Sequence, residues 1–537
     1  MPAKAITPIP LSGMGSSGLN TQAQDSTLGP EWLTQADGMV FDLQGRIASR
    51  KGIKMVSKAI ASPVKSIAGY IKSNRTSEYY AGAGSAIYKI DTSTTPYSLT
   101  AQSFSGSAQT ISDANWTWVN FNDELWGIQT GHKAINYDGT NWYDIDDLGA
   151  YAAPAGVTTF DPSCGLGEFG RMWYGGITEA LGVVFYSDNL IGEKLTGGAA
   201  GSLDLKTVWG NDEVVGLAAI MDKLVIFGKQ NIAIYSGASN PASMALEEVI
   251  KGTGLAGKDN IAYVGTDILF LSYEGLMSLG RLQQTDGKAP IQDLSITVRN
   301  DLATILSSAT VANIKTAYYP EDGLLVIFMP DEKKCYVFDV KVQTQSPRVT
   351  TWPLTTAPLC GLGTIDGKLF IGLPTGVAEY TGYIDVTITS DGSGGWTSTN
   401  SNYSYVFQTS WLDLNSPTFA KIIKSGLFAI TGGRGSSSTI SVYKDFELGS
   451  PYSKTISLVS GVTISLYTQG DDGAALVAGT RSLYDTAKYG AVAGPKDYKV
   501  SLGRTGKVIK LKMDTTVEGH YSSLTAATLL TKQGKIR

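Results

Sequence analysis

The stretch DKLVIFGKQNIAIYSG, residues 222–237, contains the unit that decides the fold. The apolar run LVIF is followed by the turn GKQN and by a second apolar run that ends in Tyr235. Short runs of β-branched and aromatic residues joined by Gly, Asn or Asp are typical of a β-hairpin. The pattern therefore predicts two antiparallel strands, and similar units occur on both sides of this one.

These hairpins recur at intervals of about 45 to 55 residues. The other copies begin at Ser77, Asp123, Gly170, Asp267, Asp322 and Asp366. Self-similarity at this period predicts a β-propeller, in which each blade buries its faces against its neighbours. Because some of these hairpins can share a blade or close the ring, we expect six blades, with seven as the alternative.

The composition agrees with a large, turn-rich, all-β protein. The chain has 537 residues, 62 of them Gly, and only 17% of its residues are charged. This length is enough for two or three domains. No apolar run approaches the ~18 residues that cross a bilayer, and the N-terminus lacks the continuous apolar core of a signal peptide. We therefore expect a soluble protein made in a cytoplasm.

Residues suited to catalysis or metal binding are scarce. The three cysteines, Cys164, Cys335 and Cys360, lie beside or inside apolar runs, which favours buried thiols over a disulfide framework or a metal site. The two histidines, His132 and His520, are too few for a His-rich metal centre and are expected to be solvated or packed. We predict no cofactor, no metal and no catalytic residues.

The charge distribution argues against a protein that grips nucleic acid. The net charge is −5, and no run of Lys or Arg exceeds two residues. Proteins that hold nucleic acid by its phosphates usually carry a basic stripe. If DNA passes near this chain, we expect a surface that repels it.

Three segments match the dinucleotide-binding pattern GxGxxG, and they begin at Gly13, Gly165 and Gly252. The pattern binds a pyrophosphate only where a strand precedes it and a helix follows it. The first match lies in an unpatterned segment, and the other two lead into β-type runs. With so many glycines in the chain, we interpret all three as chance matches.

The order of segments predicts four regions. Residues 1–33 form an extended N-terminal arm that orders only against a partner, and residues 34–388 form the propeller. Residues 389–402 form a Gly/Ser/Thr linker, and residues 403–537 form a β-sandwich-like platform domain. One helix is expected within residues 291–308, with Asp293 or Ser295 as its N-cap.

The segment TQADGMVFDLQGRIASRKGIKMV, residues 34–56, reads as a strand pair around a turn at Gly45. It resembles the opening signature of the tail nozzle family of short-tailed phages, which includes tail tubular protein B and packaged-DNA stabilisation proteins. The positions that match this signature are Asp42, Gly45, Ile47, Arg50 and Gly52. Two positions depart from it, because Asp37 stands where the family tends to have Asn and Lys51 replaces the usual Pro. From the residues alone, we expect Arg50 to pair with an acid at a joint and the two glycines to permit special turn geometry.

The resemblance implies a structural protein of the virion tail and not an enzyme. Such subunits form a homo-oligomeric ring, commonly of six, below the portal and adaptor, with fibres or a tail tip around it. The ring extends and gates the channel through which DNA leaves, and it helps to retain packaged DNA until ejection. DNA would pass through without specific binding.

The alternative is a carbohydrate-active propeller, either a glycosidase or a glycan-binding tailspike-like module. TSDGSGGW, residues 389–396, resembles the Asp-box of sialidase-type propellers through Thr389, Asp391 and Trp396, although its central Gly is displaced. A glycosidase would also need paired carboxylates at a pocket, and no pair stands out in the sequence.

Overall fold

The computed structural model describes residues 6–42, 45–106, 109–280, 293–341, 346–390, 396–414, 418–458 and 495–536. Strands account for 53% of the structure and helices for 5%. The fold is all-β and consists of a β-propeller and a C-terminal β-sandwich. No helix in the described ranges is long and apolar enough to span a membrane.

The first six strands lie outside the hairpin repeats. They are β1 (Thr7–Pro10), β2 (Gly18–Leu19), β3 (Trp32–Asp37), β4 (Met39–Phe41), β5 (Ile47–Ser49) and β6 (Ile53–Met55). Strands β4 and β5 form the strand pair expected around Gly45, with Phe41 opposite Ile47.

Blades 1 to 4 are four-stranded antiparallel sheets, each formed by one continuous stretch of chain. Blade 1 comprises β7 (Val64–Ile71), β8 (Ser77–Ala83), β9 (Ala86–Asp91) and β10 (Ser98–Ala101), and blade 2 comprises β11 (Thr117–Phe121), β12 (Glu124–Ile128), β13 (Ile135–Tyr137) and β14 (Trp142–Asp144). Blade 3 comprises β15 (Cys164–Glu168), β16 (Arg171–Gly175), β17 (Val183–Tyr186) and β18 (Gly201–Asp204), and blade 4 comprises β19 (Val214–Ile220), β20 (Lys223–Gly228), β21 (Asn231–Ser236) and β22 (Ala245–Lys251). A short helix, Lys206–Trp209, joins blades 3 and 4.

Blades 5 to 7 complete the ring. Blade 5 comprises β23 (Ile261–Val264), β24 (Asp267–Ser272) and β25 (Gly275–Ser278), and blade 6 comprises β26 (Lys315–Tyr319), β27 (Leu324–Met329), β28 (Lys334–Asp339) and β29 (Arg348–Pro353). Blade 7 comprises β30 (Cys360–Gly363), β31 (Leu369–Leu373) and β32 (Gly376–Tyr380). Its fourth strand is β6, which pairs with β32 and closes the ring. Adjacent blades contact each other in chain order, and blade 7 contacts blade 1.

The described residues form seven blades, which is the alternative that the sequence allowed and not the six that it favoured. Each of the seven repeated hairpins supplies the second and third strands of its own blade, counted from the axis, so no two hairpins share one. The ring is closed by β6, which lies outside the repeats. Aromatic contacts join the blade faces, for example Phe227 with Phe270 at 5.0 Å between ring centroids.

The remaining strands build the C-terminal sandwich. They are β35 (Tyr403–Thr409), β36 (Phe419–Gly432), β37 (Ser437–Lys444), β38 (Glu447–Ser457), β39 (Lys496–Gly506), β40 (Ile509–Val517) and β41 (Ser522–Ile536), whereas β33 (Asp385–Ser390) and β34 (Trp396–Ser401) extend the sheet of blade 7 beyond β6. One sheet has the order β39-β36-β41-β5-β4, and the other has the order β3-β35-β40-β37-β38. Buried side chains from both sheets, such as Phe428, Leu529, Phe407 and Met513, form a common core.

The sandwich and the propeller share one sheet. Strand β29, at the outer edge of blade 6, pairs with β3, so the blade continues into the second sheet of the sandwich. Two segments differ from their expected roles. The expected linker, residues 389–402, overlaps the antiparallel strands β33 and β34, and β33 also pairs with β6 beside blade 7; residues 391–395 of this linker lie outside the described residues.

The expected N-terminal arm packs on the chain's own sandwich. Strand β1 pairs with β41, with Thr7 opposite Thr531. Farther along the arm, the Thr21 hydroxyl donates to Asp301 at 2.7 Å, and Asp25 forms an ion pair with Lys510. The arm is therefore ordered by contacts with its own polypeptide chain.

The expected helix is present but shorter than its periodicity indicates. It spans Arg299–Ser308 and buries Leu302 and Leu306 against the core shared with the sandwich. Its N-cap is Val298, and no side chain caps it. Neither Asp293 nor Ser295 is the N-cap, because the helix begins at Arg299; in the turns before it, Asp293 accepts hydrogen bonds from the backbone N–H and the hydroxyl of Ser295.

Candidate functional site: the joint between propeller and sandwich

Arg50 lies at the centre of the joint between the two parts of the molecule. It follows β5 of the sandwich, precedes β6 of blade 7 and is only 1% exposed. Its two terminal nitrogens donate to the carboxylate of Asp385 at 3.0 and 2.8 Å. A planar guanidinium can make this bidentate contact, whereas a lysine ammonium cannot.

The aromatic side of the joint is formed by Tyr403, the first residue of β35. The guanidinium carbon of Arg50 lies 4.0 Å from the centre of the Tyr403 ring, and the Tyr403 hydroxyl donates to the carbonyl oxygen of Arg50. Burial opposes the charge of Arg50, but the hydrogen bonds and charge of Asp385 outweigh it and raise the pKa of Arg50. Burial also disfavours the charged form of Tyr403, which raises the pKa of its phenol. The joint thus holds a charged Arg50 between a carboxylate and a neutral phenol.

Asp385 extends this network to the strand that closes the propeller. Besides holding Arg50, its carboxylate accepts the backbone N–H of Ile53 at 2.8 Å. Ile53 is the first residue of β6. One carboxylate therefore connects β33, the connector after β5 and the closing strand of blade 7.

Gly52 is required by close packing in this connector. A Cβ at Gly52 would lie 2.1 Å from the carbonyl oxygen of Ile384, so no other residue fits without movement of the backbone. The Gly52 backbone also donates to Gly382 at 2.8 Å and accepts from Thr381 at 2.9 Å. The backbone of Gly52 is not left-handed, so its role differs from the turn geometry expected from the sequence.

Lys51, which departs from the family signature, binds blade 6. Its ammonium lies 2.9 Å from the Asp322 carboxylate and donates to the Tyr319 hydroxyl at 3.1 Å. Its backbone N–H donates to the Tyr380 hydroxyl at 3.1 Å. Proline has no N–H to donate, so this bond is specific to a residue such as Lys51.

The other signature residues lie in the β4–β5 hairpin on the sandwich side of the joint. The Asp42 carboxylate accepts from the Arg46 backbone at 2.9 Å, from the Arg46 guanidinium at 2.7 Å and from the Tyr521 hydroxyl at 2.9 Å. Gly45 has a φ of +75°, which favours glycine, and it donates to the Asp42 carbonyl at 2.9 Å. Ile47 is buried in the sandwich core.

The axis of the propeller contains a cavity of about 510 Å³. Its wall is formed by the innermost strands of all seven blades. Its lining residues include Trp116, Leu166, Leu217, Lys258, Asp259, Ile261 and Lys315. Two of the glycines from the GxGxxG matches, Gly165 and Gly167, also line it. They belong to β15 and precede no helix.

The three cysteines are buried, as the sequence predicts, and one of the two histidines is buried as well. Cys164, Cys335 and Cys360 are buried and free, and burial raises the pKa of Cys164 to about 12. His132 is 8% exposed, and its ring packs edge-on against Trp116 at 5.7 Å between ring centroids. The described part of the chain contains no group of three or more His, Cys, Asp or Glu side chains that could hold a metal ion.

The sequence indicated the Arg50 half of the joint but missed its partners. Asp385 and Tyr403 lie more than 300 residues away from Arg50 along the chain, as the separations of 335 and 353 residues show. The only sequence signal for Asp385 was an acidic residue in a β-type run after the last hairpin, and such acidic residues are common in this sequence. The Asp-box resemblance falls on the β33–β34 hairpin for Thr389, whereas Asp391 lies outside the described residues.

No protein-family profile matches this chain, and no curated protein sequence matches it. Several solved structures are similar at low identity. PorZ of Porphyromonas gingivalis, a surface component of the type-IX secretion system, is 13% identical with a TM-score of 0.36, and the match covers 68% of this chain and 42% of PorZ. The Pan2 WD40 domain of Neurospora crassa is 8% identical with a TM-score of 0.35, covering 60% of this chain and 90% of that domain. YCF48 of Cyanidioschyzon merolae is 9% identical with a TM-score of 0.33, covering 62% and 98% of the two chains.

Proposed function

We propose that this chain is a structural subunit of a phage tail, a nozzle or tail tubular protein that forms a ring and is not an enzyme. The ring extends the DNA exit channel, gates it and helps to retain packaged DNA until ejection. It is a homo-oligomer, with six copies as the expected number, and it contacts the adaptor ring on the portal side and the fibres or tail tip.

The observation that carries this proposal is the coincidence between the signature and the joint. The residues that resemble the nozzle signature, Asp42, Gly45, Ile47, Arg50 and Gly52, lie between the sandwich core and the closing strand of the propeller. Among them, Arg50 and Gly52 make contacts that fix the two parts against each other. A subunit that withstands pressure in a channel wall benefits from such a rigid joint, since small interfaces between domains otherwise permit relative motion.

The axial cavity of the propeller is too small to be the path of the DNA. A volume of about 510 Å³ is in the range of a small-molecule pocket. A DNA duplex does not fit in such a space. In this proposal the DNA therefore passes through the central opening that the ring of subunits encloses, and not through the axis of any one propeller. The net charge of −5 disfavours adhesion of the polyanion to the wall.

The proposal is tested with virions that lack this protein. Packaging proceeds through the portal, so heads should fill with DNA and then lose it, and nuclease-protected DNA should fall well below the wild-type amount. The control is complementation with the wild-type chain, which should restore retention. Full heads that keep their DNA and fail only to bind or digest host glycan would contradict the proposal and support the carbohydrate-active alternative.

Electron microscopy of the purified protein provides a second test. A ring subunit should form closed particles with a central opening, either alone or when mixed with its adaptor neighbour. A protein that stays monomeric under both conditions would contradict the ring.

A further inference from the structure

The charge of this chain is divided unevenly between two parts of the molecule. Residues 117–251, which contain blades 2 to 4, include 17 Asp and Glu and 7 Lys and Arg, a net charge of −10. Residues 403–537, which contain the sandwich strands β35 to β41, include 9 Asp and Glu and 16 Lys and Arg, a net charge of +7. The overall charge of −5 thus combines an acidic region and a basic region.

These two regions lie on opposite sides of the molecule. The sandwich is joined to blade 6 through the pairing of β29 with β3. In a ring of seven blades that follow chain order, blades 2 and 3 lie across the axis from blade 6. The acidic and basic regions of one chain therefore do not pair with each other, whereas those of two chains can.

One face of blades 2 to 4 combines acids with exposed apolar side chains. Since neighbouring strands of a blade are antiparallel, the turns after its first and third strands lie on the same face. These turns expose Asp123, Asp138 and Asp222. They also expose Leu190 and Met221, and Met221 is 85% exposed. We call these turns of blades 2 to 4 the acidic face.

The lysines on the acidic face do not cancel its charge. Lys194 already pairs with Asp188, and Lys223 already pairs with Glu247, each at 2.6 Å. The acidic face therefore keeps the negative charge of its exposed aspartates around apolar side chains. Such a surface suits a partner that is basic and apolar.

The edge of the sandwich formed by β38 and β39 has the opposite charge. Each is the last strand of its sheet, and the two strands contact each other. Residues 444–457 and 496–507, here called the basic edge, include six Lys and Arg and three Asp and Glu. Phe446 and Leu448, each 59% exposed, lie at the turn between β37 and β38. The exposed cations of the basic edge are Lys454, Lys496, Lys499 and Lys507.

The exposed apolar residues on both surfaces include three with a left-handed backbone. The φ values are +56° at Leu190, +55° at Met221 and +67° at Phe446. Bulky residues rarely adopt this conformation, which Gly, Asn and Asp adopt more easily. Strained positions of this kind are concentrated at functional sites. Here the strained turns present an exposed apolar side chain on each of the two oppositely charged surfaces.

We infer that the basic edge of one copy docks on the acidic face of the next copy, with Phe446 and Leu448 beside Leu190 and Met221. This inference rests on the proposed ring and identifies its interface. The two surfaces differ from each other, so the contact is heterologous. Repeating such a contact generates a closed ring or a filament and not a two-fold dimer.

Sedimentation velocity of the full chain tests this interface with two variants. Met221→Asp changes only the acidic face, and Phe446→Asp changes only the basic edge. Asp tolerates the left-handed conformation, and each variant should weaken self-association at least about tenfold. An equimolar mixture of the two variants should form one-to-one heterodimers, because the intact basic edge of the Met221→Asp chain fits the intact acidic face of the Phe446→Asp chain. A mixture of folded variants that stays monomeric would overturn the inference.

The matched control is Ile365→Asp. Ile365 is 75% exposed and lies on blade 7, outside both surfaces, so this variant should assemble like the wild type. Circular dichroism verifies that each variant folds. Phe446 packs on Trp411 at 5.0 Å between ring centroids, and if Phe446→Asp does not fold, Leu448→Asp takes its place.

The outcomes separate this inference from the proposed tail function. A wild type that stays monomeric up to about 100 μM, or variants that still form rings, would overturn the inference. Rings formed only with the adaptor neighbour would in that case still support the tail function. Binding of a DNA duplex by a wild type that does not self-associate would assign the basic edge to nucleic acid and would also overturn the inference. Heterodimers in the mixture, together with virions that retain DNA without this protein, would support the interface and contradict the tail function.

Discussion

At the scale of single residues, the joint depends on Arg50. A guanidinium that is 1% exposed is costly to bury, and the structure offsets this cost with two hydrogen bonds to Asp385 and the ring of Tyr403. Removing one partner of a buried pair leaves the other charge without compensation. The loss of stability on removing one partner therefore depends on how deeply the pair is buried, and not on the number of ion pairs.

We expect Arg50→Met to lower the free energy of unfolding by about 3 kcal/mol or more. Arg50→Lys should recover only part of the loss, because an ammonium cannot make the bidentate contact. The matched control is Arg46→Met, whose side chain is 24% exposed and pairs with Asp42, and which should cost about 1 kcal/mol or less. Urea unfolding measures all three. Equal losses for Arg50→Met and Arg46→Met would contradict the central role of Arg50.

Gly52→Ala should destabilise the protein by more than about 2 kcal/mol, because its Cβ would overlap the Ile384 carbonyl oxygen. Gly149 is the control, since a Cβ there meets nothing within 4 Å. Gly149→Ala should change stability by less than about 0.5 kcal/mol. Thermal unfolding of both variants provides the measurement, and a tolerated Gly52→Ala would show that the connector can move.

Asp42 should make stability depend on pH. Burial alone would raise its pKa, but the hydrogen bonds from Arg46 and Tyr521 outweigh burial and lower the pKa. A carboxyl group whose pKa is lowered by folding stabilises the native state above its unfolded pKa of about 3.9, and this contribution is lost as the pH falls through the folded pKa.

Between about pH 5 and pH 2, the wild type should therefore lose stability more steeply than Asp42→Asn. The urea midpoint measured across this range gives the comparison, with Asp222→Asn, an exposed residue, as the control. Parallel curves for the wild type and Asp42→Asn would show that the Asp42 contacts do not form in solution.

At the scale of elements, hairpins between neighbouring strands could be predicted from the sequence, whereas pairings between strands far apart in the chain could not. Each blade hairpin, such as β20–β21, is encoded within about 16 residues, so β-type runs and turn residues were sufficient to predict it. The pairings of β6 with β32, of β3 with β35 and of β1 with β41 join segments that lie far apart in sequence. No short-range pattern encodes them, which is why the blade number, the place of the arm and the Arg50 partners were missed.

The arm should be protected from proteases in the free subunit. Leu11, Leu19 and Leu28 are buried against the rest of the chain. Thermolysin should therefore spare these sites while it cuts first at exposed apolar residues such as Leu190, which is 58% exposed. Mass spectrometry of the early fragments identifies the sites. Early cleavage at Leu11 or Leu19 would show that the β1–β41 pairing opens readily.

At the scale of the whole molecule, the propeller and the sandwich should unfold together. Blade 6 and the second sheet of the sandwich are one continuous sheet, and Arg50, which follows the sandwich strand β5, binds Asp385 in the sheet of blade 7. We expect a single transition in differential scanning calorimetry of the wild type. Arg50→Met should broaden or split this transition. Two well-separated transitions in the wild type would contradict the coupling.

The closing strand also has a consequence for synthesis. Met55 pairs with Ala378, so the first part of blade 7 leaves the ribosome 323 residues before its partner. At translation rates of about 5 to 20 residues per second, roughly 16 to 65 s pass before the ring can close. During this interval β6 is an unpaired edge and the nascent chain is an open arc of blades. A polypeptide that ends before Tyr380, whether from a truncated messenger or from proteolysis, remains in this open, aggregation-prone state.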